Sequence, residues 1–596
     1  MRERYGLFSP PKHPVLSLAV QAEDCTIERE QSQFEVLVHH IFYRFLHNEL
    51  LTSDDDETKR VMQISWAIAV PGLLVALFLF PPYHGFPPYP LHRPFWAQVA
   101  DHYFYVMYSF VVMGAATVYE WDLLFPDLVD VFVLSVQPIA SRHLFFARVL
   151  ALAIFLGLVL FGTSILGIVF LPLVAELPNF LRHLLAHSTA VCASGMFAAA
   201  TFLALQGILL NILGENIFRR ITPLLQGASI MLLLAILLLH PTITRSLEPL
   251  LTSTPAVRFF PPFWFLGIYE RILLGPSAPA LFHEFARIGC YALLLMLAGT
   301  VVTYPLAYRR RVRQLIEGGR AIDTPSRTVR PFQRILQATI LRLPAQRAIF
   351  HFISQTILRA QRQRVMLAMY GGLGIALTLS EMLVFRVGGG HVRPALLPSG
   401  IRSAIPVMLF LTVAGLRSIL TSSIDRRGAW LFRVIIGRPN AGHFAGTRVW
   451  VTLWAVFIGL ATAITLHALS PESLGSRLTT LNQLLVAVGV SFLLADILLF
   501  SVRSVPFTHL RKSSITDLPL VIARYFVLFP LLITIIVHNE SWSEASAIHF
   551  VKTLIFLVAA HLLLLKTYSR SLSQSTLDTP PDEADEFPQR LGLRDS

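Results

Sequence analysis

Acidic and basic side chains are concentrated in residues 120–148, a stretch between two long apolar segments. It begins Glu-Trp-Asp-Leu-Leu-Phe-Pro-Asp, and its charged members and histidine are Glu120, Asp122, Asp127, Asp130, Arg142, His143 and Arg148. Pro126 stands where a first helical turn accepts proline, and Pro138 would end the helix. The pattern predicts a short helix on the membrane surface. The chemistry it offers is polar contact with a partner or with lipid headgroups.

A second copy of this stretch occurs about 300 residues later. Pro138, His143, Arg148 and Val149 correspond to Pro439, His443, Arg448 and Val449, and the His-to-Arg spacing is five in both copies. The second copy, residues 424–448, also contains Arg427 and Arg433. Either each copy is an amphipathic anchor with solvated charges, or each is a docking element for a cytoplasmic partner.

Three polar residues lie inside apolar segments. Asp496 is in the middle of one segment, and Gln206 and Asn211 lie in the corresponding segment of the first half. A charge that faces lipid is costly, so such residues are functional candidates by default. One interpretation is a polar lining of a translocation path where the halves meet. The alternative is hydrogen bonding between helices that only stabilises the bundle.

Motifs for catalysis are absent from the sequence. It contains no Gly-x-x-x-x-Gly-Lys-Ser/Thr loop and no Gly-x-Ser-x-Gly turn, and His283-Glu284 is followed by Arg287 where a zinc protease needs histidine. The cysteines, Cys25, Cys192 and Cys290, are too widely spaced to suggest a metal site. We therefore expect no enzyme activity, no metal site and no cofactor bound by this chain.

The composition indicates a membrane protein. Of 596 residues, 54% are hydrophobic and 14% are charged, whereas soluble domains average about 25% charged residues. Mean hydropathy is +0.61. The net charge of +13 comes largely from residues 309–364, which contain thirteen arginines, no lysine and two carboxylates. In a membrane protein such a cluster indicates a cytoplasmic loop, so we expect no nucleic-acid partner.

Apolar segments of about 20 residues, the length that a bilayer requires, predict an all-α fold with about twelve transmembrane helices. They lie near residues 62–80, 103–119, 145–171, 189–212, 223–240, 289–307, 365–386, 404–423, 447–469, 481–502, 519–537 and 548–566. An even number of spans places both termini on one side, and the basic loops make that side cytoplasmic.

The segments form two similar halves, each preceded by an amphipathic helix, and an even number of spans per half makes the repeats parallel. The predicted units are a tail (1–34), a first six-span repeat with its interfacial helix (35–307), a basic connector (308–344), a second such repeat (345–566) and a disordered acidic tail (567–596). The external loop 241–288 contains an aromatic cluster at 259–269, which we expect to fold back onto the outer leaflet.

This layout resembles the permease subunits of ABC exporters of the type-2 family, as a fused duplicate of a six-span unit. The interfacial helix at 35–51, the stretch 120–148 and the aromatic loop 259–269 occupy the places of that family's interfacial helix, coupling helix and membrane-dipping loop. The resemblance implies a transporter in the bacterial cytoplasmic membrane. Its partners would be the lipid bilayer and separate P-loop ATPase subunits that bind the ATP, and its substrate is not indicated.

Under this resemblance, residues 122–142 and 425–442 would dock on the ATPase subunits. Coupling contacts are expected from Glu120, Asp122, Asp127, Asp130, Arg142, His143, Arg427, Arg433 and His443. Arg148, Arg448 and Trp264 would anchor the chain at the membrane interface, and Gln206, Asn211 and Asp496 would line the path.

Two other classes of protein stay open. A secondary carrier of the major-facilitator type also has twelve spans in two parallel halves and a basic central loop. Such carriers have a short loop after the second span, whereas this loop has about 29 residues and begins Glu-Trp-Asp. The third class is a membrane scaffold that transports nothing.

Overall fold

The computed structural model describes residues 33–46, 57–90, 92–121, 123–126, 128–134, 137, 139–174, 180–213, 215–317, 341–388, 391–421, 441–469, 477–500, 502, 506–507 and 517–575. Within these ranges the regular secondary structure is helical, apart from one two-stranded antiparallel hairpin. Nine of the described helices are long and apolar enough to cross a membrane. The protein is therefore a helical integral membrane protein with several spans.

The described part of the first half contains eleven α-helices. They are α1 (Gln33–Leu46), α2 (Glu57–Tyr83), α3 (Phe95–Tyr119), α4 (Leu128–Leu134), α5 (Ser141–Val174), α6 (Phe180–Ile212), α7 (Glu215–Leu238), α8 (His240–Arg245), α9 (Leu247–Ser253), α10 (Pro261–Leu274) and α11 (Ala280–Glu317). Short 3₁₀ turns, Pro255–Phe259 and Gly275–Ser277, flank α10.

The described part of the second half contains seven helices and the hairpin. They are α12 (Pro344–Arg359), α13 (Gln361–Met382), β1 (Leu383–Gly388), β2 (His391–Leu396), α14 (Pro398–Thr421), α15 (Ala441–Leu469), α16 (Arg477–Leu499), α17 (Asp517–Glu544) and α18 (Ala547–Ser575).

Each of the twelve predicted apolar segments coincides with a long helix, and nine of these meet the length and hydropathy expected of a span. The other three are α2, α3 and α17. Helix α11 continues to Glu317 and α18 to Ser575. The beginning of the predicted connector and the first residues of the predicted disordered tail are therefore helical. Residues 1–32, 318–340 and 576–596 lie outside the described part of the chain.

The amphipathic helix of each half packs against the third long helix of that half. Helix α1 buries Leu37, Ile41 and Phe45 beside α5, and α12 buries Ile349, Ile353 and Ile357 beside α15. These residues are four apart, so they lie on one face of their helix. The second long helix of each half, α3 or α14, packs against the next three long helices. The contacts of the interfacial helix and of the second long helix therefore correspond in the two halves. The first long helix packs differently, because α2 lies against α5 whereas α13 lies against α14.

The halves meet where α7 packs along α13. A Cβ at Gly372 of α13 would lie 3.0 Å from Met231 Cβ, and one at Gly227 of α7 would lie 2.5 Å from Ala368 Cβ. Small residues let helix backbones approach closely, and packing of this kind holds helices together inside a bilayer. The absence of a side chain at both glycines is therefore a requirement of this interface.

The loop 241–288, which was predicted to be external, turns into the bundle. Helix α10 begins with Pro261 and Pro262, in the first turn, where a backbone N–H would have no partner within the helix. Gly275, with φ 63°, follows its last turn. Helix α10 packs against α3, α6 and α11, and Phe265, Leu266 and Tyr269 are fully buried. The aromatic cluster was predicted to lie on the outer leaflet. Most of it is instead enclosed by protein, because three neighbouring helices cover its apolar faces.

Trp264 was predicted to anchor this loop at the membrane interface. Its side chain is half-buried, its indole Nε1 donates to Arg258 O at 2.6 Å, and its ring contacts Phe197. The indole therefore binds within the protein rather than to a headgroup.

Candidate functional site

The residues that follow α3 are buried. Glu120, Trp121, Leu124 and Phe125 are all at most 5% exposed. Leu124 and Phe125 pack with α1, α5 and Tyr304 of α11 in a cluster at the end of the first half, and Trp121 packs in the larger core of that half. The sequence predicted a surface helix over this stretch with Glu120 in contact with an ATPase. The structure shows a buried turn instead, because the apolar side chains between the charges enter the bundle.

Side chains from three other helices bind the carbonyl groups around this turn. Gln206 Nε2 donates to Trp121 O at 2.7 Å, Gln226 Nε2 to Val118 O at 3.3 Å, and Tyr304 Oη to Leu124 O at 2.7 Å. The last carbonyls of a helix have no partner within the helix, and buried carbonyls need one. Gln226 therefore caps the last turn of α3, and Gln206 satisfies a carbonyl of the turn that follows it.

Helix α4 is seven residues long and is held by Asp130. Arg148 Nη2 of α5 donates to Asp130 Oδ2 at 2.7 Å, and Arg44 of α1 donates to Asp130 Oδ1. Asp130 and Arg148 are both buried. A buried carboxylate is tolerated when charged donors satisfy it, and removal of one partner is strongly destabilising. The Asp130 network, which comprises Arg44, Asp130 and Arg148, therefore fixes α4 to α1 and α5.

The structure corrects the predictions for Arg148 and Asp130. Arg148 was expected at the lipid headgroups, but its guanidinium is buried against Asp130. Asp130 was expected to contact an ATPase, but its two oxygens bind Arg44 and Arg148. The reason is physical: a carboxylate on a short helix and a guanidinium at the start of the next helix face each other inside the bundle.

The opposite side of α4 is exposed and apolar. Phe132 is 57% exposed and Val133 is 55% exposed. Arg142 and His143, two of the predicted coupling residues, are exposed in the first turn of α5. The α4 surface, defined as Phe132 and Val133, therefore offers two exposed apolar side chains.

The second half has a buried arginine at the corresponding place, but with a different partner. Arg448 Nη2 of α15 lies 3.2 Å from Asp496 Oδ1 of α16, and His561 Nδ1 of α18 lies 2.5 Å from Asp496 Oδ2. The Arg448 guanidinium also stacks over the ring of Tyr568, 4.0 Å from its centroid. Arg448 was predicted as a headgroup anchor. It is mostly buried and holds three helices of its own half together.

The residues predicted to line a path do not come together. Gln206 binds Trp121, Asn211 Nδ2 donates to Thr303 O at 3.1 Å, and Asp496 binds Arg448 and His561. Each of these contacts lies within one half, whereas the halves meet along α7 and α13. Gln206 and Asp496 face the interior of their own halves, and not the junction where the sequence placed them.

Several coupling residues cannot be placed. Asp122, Asp127, Arg427 and Arg433 lie outside the described residues. His443 is half-buried in the first turn of α15.

A second buried polar cluster, at the other end of the first half, was not predicted. His102 Nδ1 of α3 lies 2.7 Å from Glu270 Oε1 of α10, and Tyr269 stacks on the His102 ring with centroids 4.1 Å apart. Tyr269 Oη also lies 3.5 Å from His187 Nδ1 of α6. The signal in the sequence was Glu270, an acidic residue in a mostly apolar helix whose other charged residue is Arg271. Among the described residues, no group of three or more histidine, cysteine or acidic side chains is arranged to hold a metal ion.

An ion pair lies next to this cluster. Arg93 binds both carboxylate oxygens of Asp101, at 2.5 and 2.6 Å. Burial lowers the pKa of Arg93, but the hydrogen bonds and charge of Asp101 outweigh burial and raise it above its usual value. The guanidinium therefore stays charged, and the pair connects the loop before α3 to α3 itself.

The functional assignment depends on these observations and on the resemblance described above. Comparison of the chain with protein-family models, with curated proteins and with solved structures found no match in any of the three.

Proposed function

We propose that this chain is the membrane permease of an exporter that is driven by separate ATPase subunits, and that α4 is one of the elements on which an ATPase docks. The observation that carries the proposal is that one side of α4 is fixed to the bundle and the other side is exposed. Its buried side is joined by Asp130 to α1 and α5, while Phe132 and Val133 on its other side are exposed.

This arrangement suits the transmission of movement. A permease without a nucleotide site must receive movement from another chain, and packed helices move as rigid bodies when their contacts are maintained. Force applied to Phe132 would pass through Asp130 to Arg44 and Arg148, and so to the interfacial helix and the third long helix. Exposed apolar side chains are typical of the centre of a protein interface, and polar side chains are typical of its rim.

We further propose twelve membrane crossings in two parallel six-helix repeats, with both termini in the cytoplasm and the bacterial cytoplasmic membrane as the location. The corresponding contacts of the interfacial and second long helices in the two halves, and the arginine cluster at 309–364, support the topology. The location is an implication of the resemblance. Residues 425–442, with Arg427 and Arg433, would form the second docking element.

The test replaces the exposed residue and keeps the buried network. Phe132→Ala should reduce co-purification of a P-loop ATPase by about tenfold or more, because truncation of a central interface residue costs more than about 1 kcal/mol. Phe146→Ala is the matched control, since Phe146 on α5 has the same exposed fraction of 57%. Unchanged ATPase binding by Phe132→Ala, or an equal loss in both variants, would refute the docking role.

A second candidate is a proton-coupled secondary carrier. The observation that favours it is the presence of two buried carboxylate–imidazole contacts, Glu270–His102 and Asp496–His561. Ionisable pairs inside membrane proteins are common elements of proton relays. The two candidates differ in their energy source. Transport into vesicles that requires ATP and an ATPase subunit supports the permease, and transport driven by a pH gradient alone supports the carrier.

A further inference from the structure

The hairpin between α13 and α14 has two different faces. Strand β1 follows Met382 directly, and the strand pairs include Phe385 with Pro394, Arg386 with Arg393 and Val387 with Val392. Side chains alternate between the faces of a strand. Phe385 and Val392 therefore share one face, and Arg386 and Arg393 share the other.

The apolar face is covered by the first half. Phe385 and Val392 pack against the hydrophobic core of the first half, and the strands lie beside α8 and α9. This contact fixes the hairpin across the two halves. Pro394 and Leu396, farther along the same face, are exposed, as is the arginine face.

The arginine face brings two positive charges close together. Arg386 and Arg393 are direct cross-strand partners, so their Cβ atoms lie about 5 Å apart. Both side chains are exposed, and no hydrogen bond or ion pair joins either one to another described residue. Like charges directly opposite each other destabilise a strand pair. An anion that binds both guanidinium groups would remove this repulsion.

The position of the hairpin indicates which anion is available. The final turns of α13 expose Ile375 and Leu379, which is the pattern of a surface that faces acyl chains. The hairpin begins one residue after that helix ends. It therefore starts where a spanning helix leaves the hydrocarbon region, at the depth of lipid phosphates.

We propose that Arg386 and Arg393 together bind the headgroup phosphate of an anionic phospholipid in the adjacent leaflet. Guanidinium groups bind phosphate oxygens in a bidentate geometry, and two of them match a phosphodiester with net negative charge. The bound lipid would offset the repulsion between the two guanidinium groups and stabilise the contact of the hairpin with the first half. This site does not depend on the proposed transport function.

The experiment measures lipid binding to the purified full chain by native mass spectrometry, with phosphatidylglycerol and phosphatidylcholine as probes. Replacement of either arginine by glutamine should weaken phosphatidylglycerol binding about fivefold, and Arg386→Gln with Arg393→Gln about thirtyfold. Arg258→Gln is the control. Arg258 is 57% exposed in the external loop, but it already has a partner, Glu284, at 3.4 Å.

Each outcome decides the proposal. Loss in the double variant with no loss in Arg258→Gln supports it, and the single variants supply the same test should the double variant fail to fold. Wild-type affinity in the variants overturns it. Equal binding of phosphatidylcholine, or displacement of the lipid by millimolar inorganic phosphate, would show that an anionic lipid is not the ligand.

Discussion

At the scale of single residues, buried polar side chains in this protein bind other parts of the chain. Gln206 caps a carbonyl of the turn after α3, and Asp496 joins Arg448 to His561. Both uses satisfy groups that would otherwise lose hydrogen bonds inside the bundle. These contacts therefore account for the presence of polar residues inside apolar segments without a role in transport.

The cap makes a prediction for Gln206. Gln206→Leu leaves Trp121 O buried without a partner and should lower the free energy of unfolding by about 1–3 kcal/mol, measured as thermal stability in detergent. Gln98→Leu is the control, because Gln98 makes the same kind of bond, to Arg93 O at 2.9 Å, at a half-buried site where water can replace it. If Gln206→Leu alters transport and leaves stability unchanged, Gln206 lines a path after all.

The Asp496 network predicts non-additive effects. Asp496→Leu leaves Arg448 as an uncompensated buried charge and should cost about 3–5 kcal/mol of stability. Asp496→Leu combined with Arg448→Met should recover most of that loss, because replacing a buried pair by apolar residues is often neutral. Thermal unfolding of the two single variants and the double variant measures the coupling. Additive losses would show that the pair does not act as a unit.

The sequence could locate these residues but not their partners. Their position inside apolar segments, where a polar group that faces lipid is costly, predicted that Gln206 and Asp496 face the bundle interior. Gln206 binds a carbonyl 85 positions away, and Asp496 binds His561 at a separation of 65. Such pairs arise from the packing of helices, and no local pattern encodes them.

At the scale of elements, α4 is too short to be stable by itself, because an isolated helix of seven residues is far below the length that is marginal in water. Its order depends on contacts with its neighbours. The Asp130 network supplies charged hydrogen bonds to two of them, and α4 also packs on α11.

Loss of the Asp130 carboxylate should therefore loosen α4. In Asp130→Ala, Arg44 loses this contact and Arg148 is left as a buried charge, so we expect much faster hydrogen–deuterium exchange of amides 128–134 with little change in α6. Arg142→Ala removes an exposed charge near α4 and should leave exchange unchanged. Unaltered protection of α4 in Asp130→Ala would mean that apolar packing alone holds it.

Long elements were predictable, and short ones were not. Each long helix follows an apolar run whose length a bilayer sets, so hydropathy was sufficient. The prediction failed for Leu383–Gly388, part of which fell within the predicted span 365–386, because a short apolar run does not distinguish a strand from a helix. It failed for 120–126 because burial of that turn depends on α1, α5 and α11 together.

At the scale of the whole molecule, two bundles meet along α7 and α13, and the hairpin of the second half lies on α8 and α9 of the first. Within the described residues, the halves share the contacts of their interfacial and second long helices. They differ in the packing of the first long helix, α2 or α13, and in the presence of α8 to α10 in one half and the hairpin in the other. Because of this asymmetry, the two halves would contribute different elements to any transport cycle.

The interface makes a prediction about proximity. Met231→Cys with Gly372→Cys should form a disulfide under mild oxidation, because a Cβ at 372 lies 3.0 Å from Met231 Cβ, close to the separation that a disulfide requires. The variant would carry serine in place of Cys25, Cys192 and Cys290. Failure to crosslink while the protein stays folded would contradict the packing of the halves. A pair at Leu232 and Gly371, where neither side has that contact, is the control.

The central claim is that an ATPase docks on the exposed side of α4, and site-specific photo-crosslinking tests it most directly. A photoreactive amino acid at Val133 in the full chain, in native membranes, should crosslink to a P-loop ATPase identified by its peptides, and ATP with Mg²⁺ should change the yield. The same probe at Phe146, which is equally exposed on α5, should not. Absence of any P-loop ATPase from the Val133 product, or equal capture from Phe146, would contradict the account.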